Sequence, residues 1–325
     1  MKPATDIKAS PPIVFDGTKR GVLVTGATGF VGQHLVDALL RDGHQVIALT
    51  RQPEQAARLF GGRVRCIASM DELELAARVD VVVNLAGARI LGPRWSDKRK
   101  EALRRSRIGL TRRVVDWIAR AQHKPFVLLS ASAIGYYGIQ EIGDQAALDE
   151  RAPPQAMFMS DLCREWEQAA GAAAQHGVQV ECMRFGLVLG KGGALPMMLL
   201  PIRLGLGGSL GGGRQWLSWI HVEDLVRAIA HRWRQAANAG GGEGRRGATN
   251  FTAPECVSQA EFSRIAARIW HRPAVVPTPG WPMRLALGEQ ADLLLEGQRV
   301  VPARLEREGF VFRFPGLAQA LQSLK

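Results

Sequence analysis

GVLVTGATGFVGQHLVDALLRDGHQVIALTR, residues Gly21 to Arg51, is the stretch whose reading decides the fold. Gly21-Val22-Leu23-Val24 is an apolar run that predicts a buried strand, and Val31, Leu35, Ala38 and Leu39 recur behind it at helical spacing. Between strand and helix, Gly26, Gly29 and Gly32 remove side chains where a turn must tighten, where backbone must approach a pyrophosphate, and where helix must lie close on strand. A diphosphate placed there meets unpaired N–H groups and the positive end of the helix dipole, which requires the motif to open a helix. Spacing alone is weak, since a glycine-rich turn with no ligand has the same letters; strand before and helix after make it specific. Thr28, Phe30 and Val31, which fill the turn around the glycines, join them as expected cofactor contacts.

The second strand, Gln45 to Leu49, ends in Thr50-Arg51, where a free ribose 2′-hydroxyl would be met by Asp or Glu. No carboxylate stands there. Arg51 offers instead a planar, permanently charged fork suited to an adenosine 2′-phosphate, with the Thr50 hydroxyl as second donor, so NADP(H) is expected over NAD(H). The plainer alternative is a solvated strand-end charge.

At 325 residues the chain accommodates a nucleotide domain and a smaller lobe. Its formal charge of +12 is spread along the chain rather than gathered into a basic block, which argues against a nucleic-acid partner and for attraction of anionic small molecules. Cys66, Cys163, Cys182 and Cys256 lie far apart, so neither a disulfide framework nor a metal site is expected. No apolar run matches a secretory signal or a membrane span. The expectation is a cytoplasmic protein, monomer or homodimer, with no membrane partner.

Beyond Arg51, apolar runs at 63–67, 79–85, 126–129 and 178–185 alternate with helical stretches, which means a doubly wound parallel α/β sheet. The fourth strand runs into Leu85-Ala86-Gly87, small enough to pass beside an adenine and ribose. Residues 95–122 read as one long basic helix, from which Arg107 is nominated for the cofactor phosphate or adenine pocket, with a structural ion pair as the alternative. The fifth strand delivers Ser130-Ala131-Ser132 and then Ile134 to Gly138 at the carboxyl edge, where such sheets bind ligands. Residues 1–19 are expected as a flexible tail, 20–190 as the Rossmann domain with 216–255 contributing, and 191–215 with 256–325 as a substrate lobe.

The glycine motif, Asn84-Leu85-Ala86-Gly87, the run from Ser130 to Gly138, and Trp219-Ile220-His221-Val222-Glu223-Asp224 together resemble the extended short-chain dehydrogenase/reductases, the NAD(P)-dependent epimerase/dehydratases. Arg94-Trp95, Ser106-Arg107, Cys163 to Glu167, Gly205 to Gly208 and Leu295 to Pro302 are similar to an atypical "epimerase family" branch with its own C-terminal domain. The resemblance implies an NADP(H)-binding Rossmann fold, with Phe185 to Val188 beside the nicotinamide carboxamide. It also implies a catalytic Tyr with a Lys four residues later and a Ser that polarises the substrate oxygen.

That Tyr/Lys pair is missing. The helix expected over 157–176 contains neither residue; the Tyr position falls near Phe158 or Met159 and the Lys position near Leu162 or Cys163. Ser132 remains a candidate to orient a substrate oxygen, unless Ala133 takes its register. Tyr136 or Tyr137 is the candidate proton donor, with packing as the competing use, because a phenol of pKa near 10 is a slow base without a lysine. Arg164 and Glu167 are further polar candidates or a helix-face ion pair.

In the second lobe, Gly205 to Gly213 followed by Arg214 reads as a loop offering backbone donors to an anionic group, or as a mobile lid. His221, at a helix start, reads as structural. Residues 239–247 look like a surface insertion, and the alternation Phe310-Val311-Phe312-Arg313-Phe314 predicts a strand. The functional expectation is an oxidoreductase or epimerase-like enzyme acting on a small polar substrate; its rival is a non-catalytic NADP(H) sensor.

Overall fold

The computed structural model describes residues 11–240 and 244–325. Strand–helix crossovers open the chain, with β1 (Gly21–Thr25), α1 (Phe30–Arg41), β2 (Gln45–Leu49), α2 (Pro53–Leu59), β3 (Arg65–Ile67) and β4 (Val81–Asn84). Next come α3 (Asp97–Arg104), α4 (Leu110–Arg120), β5 (Val127–Ala133), α5 (Phe158–Gly171) and β6 (Gln179–Phe185). The middle of the chain forms β7 (Leu187–Leu189), α6 (Leu195–Arg203), β8 (Trp216–Leu217), β9 (Trp219–His221), α7 (Val222–Asn238) and β10 (Arg246–Phe251). The last stretch holds β11 (Val257–Ser258), α8 (Gln259–Trp270), α9 (Trp281–Leu287), α10 (Asp292–Leu295), α11 (Ala303–Arg307) and α12 (Leu317–Ser323).

Seven strands form one parallel sheet in the order β10-β6-β5-β4-β1-β2-β3. Winding reverses between β1 and β4, and a crevice therefore opens at their carboxyl ends. Side-chain alternation along β1 sends Val22 and Val24 into a core shared with α1 and α7, and Leu23 into the opposite core with Val114, Trp117 and Leu128. A separate core of Leu195, Leu199, Ile202, Phe262, Leu317 and Leu321 builds the second lobe around Trp219. Among the described residues, no helix is long and apolar enough to cross a membrane.

Four expectations need correction. Residues 1–10 of the expected tail lie outside the described residues, but Phe15 is fully buried against Trp233 and His44, and its N–H donates to Asp42 at 2.8 Å. A five-residue π-turn at Arg105–Gly109 divides the long basic helix into α3 and α4. Residues 241–243 of the expected insertion lie outside the described residues, while Arg246 and Gly247 already belong to β10. Phe310 to Phe314 form no strand. The buried Asp224 carboxylate takes the N–H groups of Arg313 and Phe314 at 2.8 and 2.7 Å, in place of a strand partner, and Phe310 and Phe312 pack edge to face 4.7 Å apart.

Charge ties the C-terminal segment to the sheet. The buried Glu181 of β6 accepts from Thr249 at 2.6 Å, Arg232 at 2.7 Å and Arg304 at 3.2 Å. Arg304 also reaches Glu308, which His231 and Arg232 contact from α7. Although burial alone would raise its pKa, the bonds from His231, Arg232 and Arg304 hold the Glu308 carboxyl at about 2.

Candidate cofactor and substrate site

The glycine turn leaves no room for side chains. Gly26 has φ +70°, and a Cβ on it would lie 2.9 Å from the Ala86 nitrogen. On Gly32 a Cβ would fall 2.2 Å from the Gly26 carbonyl oxygen, and on Gly29 it would lie 3.2 Å from the same oxygen. Gly29 caps α1 without a side-chain hydrogen bond, and no acidic residue occupies the first helical turn. The helix therefore turns an uncompensated positive end toward the crevice.

A buried hydroxyl–amide chain holds the opposite bank. Thr25 Oγ1 donates to Asn84 Oδ1 at 2.7 Å and accepts from the Ala86 N–H at 3.1 Å, while Asn84 Nδ2 donates to Thr111 at 2.8 Å and Ser130 at 3.1 Å. It pins Leu85, Ala86 and Gly87 beside the glycine turn. Sequence reading missed this chain; its signal was a polar residue in each of three adjacent strands, Thr25 and Asn84 at the ends of β1 and β4 and Ser130 level with them in β5.

A cleft of about 2010 Å³ runs from this cradle into the second lobe. Thr28, Gly29, Phe30, Gly87 and Phe185 line it, while Gly26, Val31, Gly32, Leu85 and Ala86 form the turns behind. Val188 lies instead in β7, paired with Ile220 and packed on the sheet core. At the tip of β2, the Thr50 hydroxyl accepts from the Gln52 N–H at 3.3 Å, and Arg51 is exposed with no carboxylate partner among the described residues. Arg107 sits under the cradle rather than in the cleft lining. A Cβ on Gly87 would lie 3.1 Å from its Cζ, and its guanidinium donates to the Ala88 carbonyl at 3.0 Å and stands over the Trp166 ring. Desolvation lowers its pKa. Its direct role is thus to hold the 87–88 turn from below. A shallower hollow of about 300 Å³ lies on the outer face between α4 and α5.

The proposed catalytic hydroxyls point elsewhere. Ser132 is 2% exposed and donates to Glu167 at 2.7 Å; Glu167 also receives both Arg184 Nε and Nη2 at 2.8 Å. Tyr137, also 2% exposed, donates to Asn250 at 2.6 Å and accepts from Arg184 at 3.0 Å, and burial pushes its phenol up to about 12. Tyr136 carries the Arg184 guanidinium 3.5 Å over its ring. None of the three lines the cleft, which corrects the expectation that they face a substrate oxygen; Ala133, Ile134 and Gly135 do so instead. The reason is the buried Arg184–Glu167 pair, whose remaining valences Ser132 and Tyr137 satisfy. Arg164 forms the exposed helix-face pair with Asp161 at 2.8 Å.

From α5, Phe158 and Met159 face the cleft, and Leu162 and Cys163 are buried beneath. Burial pushes the Cys163 thiol up to about 12. The wall that would carry Tyr and Lys is therefore apolar and supplies no proton.

The glycine loop of the second lobe uses several of its donors within the protein. Gly205, Leu206, Gly211 and Gly213 give their N–H groups to Ile202, Pro201, Thr278 and Leu210, and the Leu210 N–H donates to Gln259. Exposed Arg214 is absent from the lining and so does not close over the loop as expected. His221 caps α7, accepting from the Glu223 N–H at 3.1 Å, and burial lowers its pKa to about 4.

Comparison with known proteins agrees with this architecture. The profile of the "NAD dependent epimerase/dehydratase family" matches residues 22–244, and a domain of unknown function, DUF1731, matches residues 278–324. An Arabidopsis thaliana protein named "Epimerase family protein SDR39U1 homolog, chloroplastic" is 40% identical over 310 residues, covering 93% of this chain and 86% of its own. The Bacillus subtilis (strain 168) epimerase family protein YfhF is 37% identical over 305 residues, covering 93% of this chain and 97% of its own. Among solved structures, human epimerase family protein SDR39U1 (isoform 2) with NADPH superposes with a TM-score of 0.80 at 34% identity, covering 94% of this chain and 98% of that one. The chain belongs to the NAD dependent epimerase/dehydratase family, with a C-terminal DUF1731 domain.

Proposed function

We propose that the protein binds NADP(H) and acts as an oxidoreductase or epimerase-like enzyme on a small molecule held between its two lobes. The observation that carries this reading is the single cleft of about 2010 Å³ that begins at the glycine cradle and continues into the second lobe. The cradle fits a dinucleotide, because Gly26 and Gly32 have no space for a Cβ and α1 begins there with no side-chain cap. Arg51, exposed at the β2 tip with no carboxylate partner among the described residues, suits the 2′-phosphate, with the Thr50 hydroxyl beside it. The human relative solved with NADPH lends further support.

When bound, the cofactor supplies hydride chemistry. The chain's own residues bind and orient: the α1 N-terminus holds the diphosphate, Leu85 to Gly87 flank the adenosine, and Phe185 stands at the nicotinamide end. The second lobe excludes bulk water. With Ser132 and Tyr137 engaged in the Arg184 network, a proton needed by the reaction comes from solvent or from the substrate itself.

That same engagement favours a second reading, an NADP(H)-sensing protein without turnover. Fluorescence titration of NADPH, followed by its oxidation with a panel of carbonyl compounds and nucleotide sugars, separates the two. Binding with turnover of any panel member supports the enzyme; binding without turnover supports the sensor; no binding refutes both.

A further inference from the structure

The part of the cleft beyond the cradle has a composition that specifies its ligand. Its walls are Ala133, Ile134 and Phe158 on the Rossmann side and Met197, Pro201 and Leu206 on the side of α6. Met197 and Leu206 are 73% and 57% exposed although both line the cleft, so the mouth itself is apolar.

Apart from the exposed hydroxyl of Thr278, most polar side chains that reach this part are already engaged with the protein. Ser218 donates to the Gln298 carbonyl at 2.7 Å and accepts from the Val300 N–H at 2.8 Å. Gln259 accepts from the Leu210 N–H at 2.7 Å and donates to Ser263 at 3.0 Å. Gln290, 1% exposed, donates to the Ile90 and Pro93 carbonyls, and Gln298 donates to the Gly138 carbonyl. The indole N–H groups of Trp95 and Trp216 are given to Ile90 and Asp144.

Charge points the same way. Of the cleft-lining cations among the described residues, Lys100 is paired with Glu289 at 2.7 Å, and exposed Arg89, two residues from Gly87, has no ion pair. The second lobe contributes Glu289, Asp292 and Glu296 to the lining, and Arg284 pairs with the last two. A nucleoside diphosphate would bring two negative charges to a wall where three carboxylates hold Lys100 and Arg284 and only Arg89 stands outside an ion pair among the described residues, so most of its desolvated phosphate oxygens would lack a cationic partner.

From this we infer that the second subsite takes a neutral, largely apolar molecule rather than a nucleotide sugar or another anion. The inference rests on the NADP(H) reading for the cradle and replaces the small polar substrate expected from sequence. Recognition comes from burial of ligand apolar surface against Phe158, Met197 and Leu206, at about 25 cal/mol per Å² removed from water.

The test uses the full chain loaded with NADPH, whose own fluorescence reports cradle occupancy. Nile red, a neutral apolar dye, is titrated and then challenged with octanophenone or with UDP-glucose. Dye binding that octanophenone displaces and UDP-glucose leaves in place is expected. Met197→Glu and Leu206→Glu place a charge at exposed positions in the mouth, which spares the core. Each should weaken the dye about tenfold, whereas Leu285→Glu, 73% exposed and outside the lining, should not. Displacement by UDP-glucose, failure of the NADPH-loaded protein to bind the dye, or loss through Leu285→Glu instead of the mouth variants overturns the inference and leaves the NADP(H) reading standing. Failure to bind NADPH at all overturns that reading instead.

Discussion

The two banks of the cleft were built by opposite rules. At the cradle, glycines strip side chains away and an uncapped helix end is left facing the crevice. Across from it, Phe158, Met159 and the second lobe present carbon, and hydroxyl or amide groups are turned back into the protein. Unsatisfied backbone polarity is tolerated where a ligand completes it and costs free energy elsewhere. The contrast teaches that the cofactor end is specified by polar complementarity, while the substrate end is specified by shape and desolvation. The Rossmann half of the family plan is kept, and the proton-relay half has been rebuilt around Arg184 and Glu167.

The strongest blow to this contrast is Gly32→Val, which sets a Cβ 2.2 Å from the Gly26 carbonyl oxygen. NADPH affinity should fall about a thousandfold or more, equivalent to about 4 kcal/mol, while far-UV circular dichroism stays that of a folded α/β protein. Retained affinity would mean that the cradle does not hold the diphosphate. Arg51→Ala comes next: removing one charge-assisted contact should weaken NADPH about ten- to a hundredfold and leave NADH within about twofold.

At the junction of the two regions, His221 caps α7 and lies 4.0 Å from the Phe314 ring. Its folded pKa of about 4 lies below the unfolded value of 6.5, so the unfolded chain takes up the proton first. Its stabilising share is complete above pH 6.5 and is lost as pH falls toward 4. Denaturant unfolding should therefore show the wild type losing up to about 2 kcal/mol across that window beyond what His221→Asn loses. Equal losses in both proteins would remove His221 from the account.

Glu308, held at about 2, runs the same way at lower pH: its contribution is present above the unfolded carboxylate range and vanishes as pH falls through 2. Glu308→Gln should cost about 1 kcal/mol at pH 7 after solvent screening, and nothing near pH 2. Tyr137→Phe should have the smallest effect on ligand. NADPH affinity should stay within about twofold, with a stability loss of about 1 kcal/mol from the vacated Asn250 bond. A tenfold change in NADPH affinity would return Tyr137 to the site.

The cofactor half was legible because its signals are local. Strand, glycine turn and helix succeed one another within Gly21 to Arg51, and a glycine required by a 2.2 Å approach shows as a glycine in the sequence. The relay half was legible only as an absence, the missing Tyr and Lys. Where Ser132 and Tyr137 turned was set by Glu167, Arg184 and Asn250, residues 35, 47 and 113 positions from the hydroxyl each meets. Periodicity cannot see such pairs. The alternation at Phe310 to Phe314 misled for the same reason: Asp224, on α7, captures the N–H groups that a neighbouring strand would have taken. Likewise Phe15 looked like part of a tail until Trp233, over two hundred residues later, was seen to enclose it.

On this reading a phosphorylated adenine dinucleotide is bound at the β1–α1 turn and recognised at the tip of β2. Side-by-side calorimetric titration of the wild-type protein with NADPH and NADH decides it. NADPH should bind tighter than NADH by about tenfold or more. Equal affinity for the two would contradict the role of Arg51, and heat from neither would contradict the site itself.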